Sequence, residues 1–386
     1  MSKRRNTAVG SNLEIPLEIE IDILSRLPVK SLLRFKCVGK SWRSLIEDPS
    51  FLTRFGKNND AFHFSTCSDQ SQYFKRSRGG NNNPNTVWHN DFLMSAQGKF
   101  RFIIGSSNGL VCLTNSFHNS LNIYIWNPST RKIVQVPILD HHHSNYDNDA
   151  KTNPFRVISF GFCPKLDDYK VVKVVGPNPV RKVEVYSLCT NSWSDINVAH
   201  AWVWLINRPN LFLNGASHWL ARKDLLDPAS RRPFIMSFEF DMDGFQEIQL
   251  PSDIPYLEDD GSISYPFEMV EYRNSLALTT KYVTEVFEIW VMKEYGVVDS
   301  WVRLFSIQVP QYPIHYEFRF FHLTNLVEND KVFLVDNQKN SLICYNPKTK
   351  QIKNRRLGFD HVRQVLSFKV SLVSMPGEIN VMDFVG

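Results

Sequence analysis

His141-His142-His143 is the tract of this chain richest in metal-binding nitrogen, and imidazole suits Zn, Cu and Ni. Three adjacent side chains in a polar loop (Asp140–Asp149) cannot all face one ion without strain. No Cys or carboxylate stands at a familiar ligand spacing from them, so the tract reads as a solvated loop. Asp241-x-Asp243-Gly244 begins like a calcium loop, but Leu250 occupies the place of the closing Glu. Asp243-Gly244 therefore reads as a two-residue hairpin turn, since both positions tolerate positive φ. Asp167-Asp168 and Glu258-Asp259-Asp260 bring carboxylates together as acid–base catalysis requires. The first pair flanks a strand start and the second group lies beside Gly261, and both read as solvated turn carboxylates. There is no G-x-S-x-G elbow, P-loop, H-E-x-x-H or G-x-G-x-x-G. Trp126, Trp193 and Trp219 sit where hairpins need large packing residues, which favours core over a carbohydrate platform. Trp202 and Trp204 alternate beside Asn207-Arg208-Pro209, so that one of them faces outward. No cofactor and no metal is expected, and the chain reads as a non-enzyme whose work is association.

The surface for that association lies near the start. Ile15, Ile19, Ile23 and Leu27 recur every fourth residue with Leu24 alongside, as one face of a first helix. Pro28 ends that helix and is suited to open the next. Leu32, Leu33, Phe35 and Cys37 supply the second helix. Val38, Trp42, Leu45 and Ile46 supply a third, which Asp48-Pro49 closes. Some 40 residues are too few for a comfortable independent domain. Surplus apolar surface on so small a unit reads as a partner's seat.

This segment resembles an F-box, the adaptor-binding module of SCF-type ubiquitin ligases, in the wording of plant F-box proteins. The match runs through Pro16-x-Glu18, through Ile23-Leu-Ser-Arg-Leu-Pro-Val-Lys-Ser-Leu32, and through Lys40-Ser-Trp-Arg-Ser-Leu-Ile46. Ile15 and Gly39 depart from it mildly. Gly39 would cost on the order of 0.5–1 kcal/mol inside a helix and less at a helix start. The resemblance implies contact with a Skp-family adaptor, itself carried by a cullin scaffold, through Ile15, Pro16, Glu18, Ile23, Leu24, Leu27, Pro28, Leu32, Val38 and Trp42.

Beyond about residue 56 the helical period gives way to short runs of Val, Ile, Phe, Tyr and Trp between Asn, Gly, Pro, Ser and Asp turns. Hairpins centred near residues 129, 191, 243, 296 and 348 set a period of about 50 residues, the range of kelch-like blades. An upstream strand recurs as Gly105–Leu113, Leu211–Leu220, Asn274–Leu278 and Asp330–Val335. Five units are visible, residues 57–104 supply most of a sixth, and Val365–Met375 is expected to close the ring on the first blade. The expected architecture is α+β multidomain: a tail at 1–11, a three-helix module at 12–56, and an all-β propeller-like domain of about six blades at 57–386. A large β-sandwich is the alternative.

The β region resembles the plant F-box-associated domain, including the S-locus F-box branch. The strings Gly105–Cys112, Trp126–Lys132, Phe160–Val172, Val183–Trp193 and Phe212–Trp219 carry that likeness. It implies a substrate-recognition subunit that holds an unidentified target protein for ubiquitination. Alternatives are a pollen determinant recognising a secreted ribonuclease, a non-degradative scaffold, and a propeller enzyme or lectin with an incidental helical prefix. The net charge of +5 is spread along the chain, and Lys3-Arg4-Arg5 reads as a solvated tail; neither argues for nucleic acid. The apolar runs are too short to span a bilayer, so no membrane partner is expected. Six cysteines without a C-x-x-C pair read mostly as buried free thiols, which places the chain in cytoplasm or nucleus.

Overall fold

The computed structural model describes residues 15–58, 61–67, 71–75, 87–88, 102–115, 122–138, 155–176, 182–196, 204–205, 211–222, 232–254, 257–259, 262–264, 267–281, 286–308, 321–328, 331–336, 341–356, 362–381 and 383. The helical module has four helices rather than three: α1 (Leu17–Ser25), α2 (Val29–Phe35), α3 (Lys40–Glu47) and α4 (Pro49–Asn58). Pro28 is the N-cap of α2, its carbonyl accepting from the Ser31 and Leu32 amides at 2.9 and 3.2 Å. Gly39 caps α3 in extended backbone, outside the helix interior where glycine is costly. Asp48 ends α3 and also opens α4. Its Oδ1 accepts from the Ser50 amide at 2.8 Å and from the Ser50 hydroxyl, and Pro49 fills the first helical position. These hydrogen bonds from Ser50 hold the Asp48 carboxyl below its usual range. The helices bring Leu24, Leu32, Ile46, Phe51 and Phe55 to the module's core, two of these five from α4, and Val370 and Leu372 join them. Phe35 stacks on Trp42 at 5.2 Å, and Asp22 of α1 pairs with Arg54 of α4 at 2.8 Å.

Among the described residues the β region forms six sheets of at least four strands. Blade I joins Val362–Lys369 to Ala61–Cys67, Ser71–Lys75 and Val87–Trp88. Blade II comprises Phe102–Ser107, Leu110–Thr114, Ile123–Asn127 and Lys132–Gln135, with Ile379–Asn380 added at its outer edge. Blade III comprises Phe155–Cys163, Asp168–Gly176, Lys182–Ser187 and Ser192–Ile196. Blade IV comprises Leu211–Leu213 with Trp204–Leu205, then Ala216–Arg222, Phe234–Glu239 and Gly244–Gln249. Blade V comprises Phe267–Tyr272, Ser275–Lys281, Val286–Met292 and Trp301–Gln308. Blade VI comprises Phe321–Glu328, Lys331–Asp336, Ser341–Asn346 and Gln351–Arg356. All pairings are antiparallel, and a small ribbon (Leu257–Asp259, Ser262–Ser264) stands apart.

The first strand of each blade touches the first strand of the next, from blade I through blade VI and back to blade I. A closed ring of six sheets is a propeller and rules out a sandwich. The closure expected of Val365–Met375 is made by residues 362–369, registered Phe62↔Phe368 through Phe64↔Leu366. Apolar packing lies between blades: Ile125, Phe160, Val171 and Tyr186 between II and III, and Val174, Trp219 and Phe238 between III and IV. At the outer rim Trp193 Nε1 donates to the Pro137 carbonyl at 2.8 Å, and Trp301 Nε1 to the Gln249 carbonyl at 3.1 Å. Each tie runs from the start of one blade's last strand to the end of the preceding blade's last strand.

Two sequence expectations about turns are corrected. Gly105–Leu113 and Leu211–Leu220 are hairpins rather than single strands. They reverse at Asn108-Gly109 (φ 44° and 85°) and Asn214-Gly215 (φ 53° and 80°), both positions left-handed as a two-residue hairpin turn requires. At 243–244 only Asp243 has positive φ (49°), and Gly244 already begins the strand. Gly161 is needed for another reason: a Cβ there would lie 1.9 Å from the Phe212 ring of blade IV. Gly161→Ala should destabilise the propeller by about 1–3 kcal/mol through overpacking, as read by urea unfolding. An unchanged midpoint would mean that the ring moves aside without cost.

Candidate functional site

The first helix has two apolar faces. Leu24 is 2% exposed and points into the module, whereas Ile19 and Ile23 are each 50% exposed on the opposite side. At 100° per residue, Ile19 and Ile23 lie about 40° apart while Leu24 lies about 100° further round. Ile15, just before the helix, and Leu17, in its first turn, are 55% and 56% exposed, and Val38 beyond α2 is 69% exposed. The expected single face of Ile15, Ile19, Ile23 and Leu27 with Leu24 alongside is thus corrected to an outward ridge and an inward anchor. A lone exposed isoleucine is ordinary, but five large exposed apolar side chains within 24 residues of sequence, two of them on one ridge of α1, need explaining.

Of the ten residues expected at the adaptor surface, Ile15, Pro16, Glu18, Ile23, Pro28 and Val38 are exposed. Leu27 and Trp42 are half-buried against the module's core. Leu24 and Leu32, at 2% and 0% exposure, are core residues, so they brace the surface and do not offer it. Leu17 and Ile19 were missed as surface residues; the signal for Ile19 was the same four-residue spacing that found Ile15 and Ile23.

The tight turns of the propeller gather on one face. Phe162 N donates to Ser107 Oγ at 3.0 Å and Tyr169 Oη to the Asn108 carbonyl at 3.1 Å, which brings together the inner turns of blades II and III. Lys170 Nζ donates to the Phe240 carbonyl and to Asp243 Oδ1, each at 2.8 Å, adding the turn of blade IV. Val370 and Leu372 leave blade I on this face and enter the helical module's core, so the helices sit here too. The opposite strand ends are those joined by the longer stretches, among them 136–154, 197–210, 250–266 and 309–320.

Chemistry-bearing residues elsewhere are placed plainly. Asp168 is buried and accepts from the Cys189 amide at 2.9 Å, so it clamps a turn and is not the solvated carboxylate expected. Glu258 and Asp259 fall in the small ribbon, and nothing is described of their side chains; His141–His143, Asp260 and Trp202 lie outside the described residues, as does the Trp204 side chain. Trp126 and Trp219 are buried and Trp193 is half-buried. Cys112 and Cys163 are buried, Cys344 is intermediate, and Cys37 and Cys189 are exposed, so among the described thiols fewer are buried than expected. Burial alone raises the Cys112 pKa. Among the described residues no three His, Cys, Asp or Glu side chains converge as a metal site would need, and no helix is long and apolar enough to cross a membrane.

Two buried polar clusters lie between strands. In blade III the fully buried Glu184 pairs with Lys173 and with Lys182, the latter at 2.9 Å. Burial pushes the Glu184 pKa up, but the two ammonium groups outweigh it and hold the carboxyl below its usual range. Between blades IV and V, His218 is fully buried, with Nδ1 3.1 Å from the Leu211 carbonyl and Nε2 2.7 Å from Tyr295 Oη. A carbonyl only accepts, so Nδ1 carries the proton and Nε2 accepts from the tyrosine. Burial drives the His218 pKa down to about 4.

Residues 81–372 match the family described as the F-box associated beta propeller domain, and residues 12–54 match the F-box domain. The chain is similar to an F-box/kelch-repeat protein of Arabidopsis thaliana, 28% identical over 317 residues that cover 76% of this chain and 79% of the relative. It is also similar to the F-box protein CPR1 of Arabidopsis thaliana, 27% identical across 77% of this chain and 74% of that one. A chain of a nidogen/laminin complex aligns at a TM-score of 0.45 and 10% identity, covering 81% of this chain and 99% of that chain. The fold assignment rests on the strand pairing and not on that likeness. With an F-box matched at its start and the associated propeller matched over most of its length, the chain belongs to the plant F-box proteins that carry a C-terminal F-box-associated β-propeller domain.

Proposed function

We propose that this protein is the target-recognition subunit of an SCF-type ubiquitin ligase, acting in cytoplasm or nucleus without catalytic residues of its own. The observation that carries the reading is the outward ridge of Ile19 and Ile23, with Ile15, Leu17 and Val38 also exposed, on a module whose core is filled by Leu24, Leu32, Ile46, Phe51 and Phe55 together with Val370 and Leu372. A Skp-family adaptor covering that ridge would link the chain to a cullin scaffold and the conjugating enzyme it carries. The contribution of this subunit is then proximity: a held target meets the charged enzyme at high effective concentration. The far face of the propeller, where the longer connections join strand ends, is the surface left for the target protein. The buried thiols Cys112 and Cys163 are compatible with a reducing compartment.

The test is adaptor binding by full-length protein carrying Ile19→Asp and Ile23→Asp. Both side chains are half exposed, so the unfolding free energy should move by less than about 1 kcal/mol for the two together. Affinity for a Skp-family adaptor should fall about 30-fold or more, as expected when central apolar anchors are replaced by charge. Undiminished affinity would overturn the reading.

A further inference from the structure

The last described segment of the chain belongs to two bodies at once. After blade I ends at Lys369, residues 370–373 alternate as extended backbone does. Val370 (8% exposed) and Leu372 (3%) enter the helical core with Leu24, Phe51 and Phe55. Ser371 and Val373 turn the other way, toward blade II. Asn127 Nδ2 donates to the Ser371 and Val373 carbonyls at 3.3 and 2.8 Å, and the Ser371 amide donates to Ser129 Oγ at 3.1 Å. Met375, 3% exposed, is buried between blades II and III. Further on, the Val381 amide donates to the Arg131 carbonyl at 3.1 Å, and Ile379–Asn380 extends blade II. The blade leaves room for this segment: Gly109 has φ +85°, and a Cβ there would fall 2.1 Å from Ser371 Cβ.

We propose that residues 370–373 are a strap that fixes the helical module against blade II, with Val370 and Leu372 as positioning residues for ubiquitin delivery. The part about delivery rests on the ligase reading; the strap itself does not. The helical core is closed by residues from the far end of the chain, so a protein shortened before Val370 keeps its whole F-box sequence yet lacks two core residues of that module. The orientation between adaptor and propeller is also set by hydrogen bonds to Asn127 instead of by the α4 connection alone. A fixed orientation determines which target lysines face the conjugating enzyme.

The test uses the exposed Cys37 and Cys189 as spin-label sites, one on each body, in full-length protein whose other cysteines are replaced by serine or alanine. Wild type should give a single narrow distance distribution. Leu372→Asp should broaden it and lower amide-exchange protection in α1–α4 at least tenfold. Gly109→Ala and Asn127→Ala touch no helical core residue and should broaden the distribution with the helices still protected. These two keep the test decisive if Leu372→Asp unfolds the module. Distributions as narrow as wild type in both overturn the strap. Adaptor affinity is measured separately: a wild type that binds no Skp-family adaptor but shows the narrow distribution refutes the ligase reading and leaves the strap standing.

Discussion

Replacing Glu184 by Ala should cost blade III about 3–5 kcal/mol, the largest single effect expected outside the apolar cores. Glu184 has no exposed surface, and Lys173 is 5% exposed with its ammonium 5.2 Å from the Trp193 ring centre. Removing the carboxylate takes from that buried ammonium the opposite charge paired with it, and breaking a buried pair from one side costs more than the pair itself contributes. Lys182 loses less, because it is about a third exposed and keeps Asp195 at 3.2 Å. Glu184→Gln should fall between wild type and Ala, since it retains an acceptor but no charge. The double variant Glu184→Leu/Lys173→Met should recover most of the loss, because apolar side chains of similar size remove both desolvation penalties together. A urea-unfolding double-mutant cycle over wild type, Glu184→Leu, Lys173→Met and the double variant isolates the charge pair. If the double variant is as unstable as Glu184→Ala, the damage comes from packing and the charge argument fails.

What the sequence disclosed, and what it hid, follows from the range of the interactions. Local signals served well. Pro28 capped α2, the hairpins at the expected period became the last two strands of five blades, and the terminal strand closed the ring. Asp48-Pro49 misled because one dipeptide does two jobs: it stops α3 and caps α4, and only the stop was read. Phe51 and Phe55, the anchors of α4, were therefore missed. Asn108-Gly109 and Asn214-Gly215 were equally local, yet lay hidden inside strings read as strands. The two faces of α1 were not legible, because apolar residues at adjacent positions fit either one broad stripe or two opposed ones. The choice depends on what packs against the helix. Val370 and Leu372 fall within the closing strand expected over Val365–Met375, yet the strand ends at Lys369: their partners lie at the opposite end of the chain, and nothing in their own pattern distinguishes a strand from a strap.

Acid should loosen the contact between blades IV and V before it reaches the carboxylates. The folded pKa of His218 is about 4 against an ordinary 6.5, so the unfolded chain binds more protons between those values. Stability from neutral His218 is complete above about pH 6.5 and is lost progressively as pH falls to about 4. At 1.36 kcal/mol per unit the whole gap amounts to about 3 kcal/mol. Two carboxyl groups bear on the same curve. Glu239, whose pKa burial raises, faces Tyr295 Oη at 3.4 Å and opposes the loss modestly, because the folded state binds its proton more readily. Since Tyr295 gives its one proton to His218, the Glu239 contact is completed when that carboxyl is itself protonated. Glu184 has a lowered pKa, so its contribution is kept where His218 fails and disappears only at lower pH. Stability against pH should therefore descend in two stages, the first assigned to His218. Substituting His218→Gln removes the titrating group and should flatten the curve between pH 6.5 and 4 while lowering the plateau at pH 7. Urea midpoints across pH 4–8 provide the measurement. A wild-type curve that is already flat over that interval would show that the ring takes up its second proton without cost, and the buried neutral histidine would then have no part in holding the blades together.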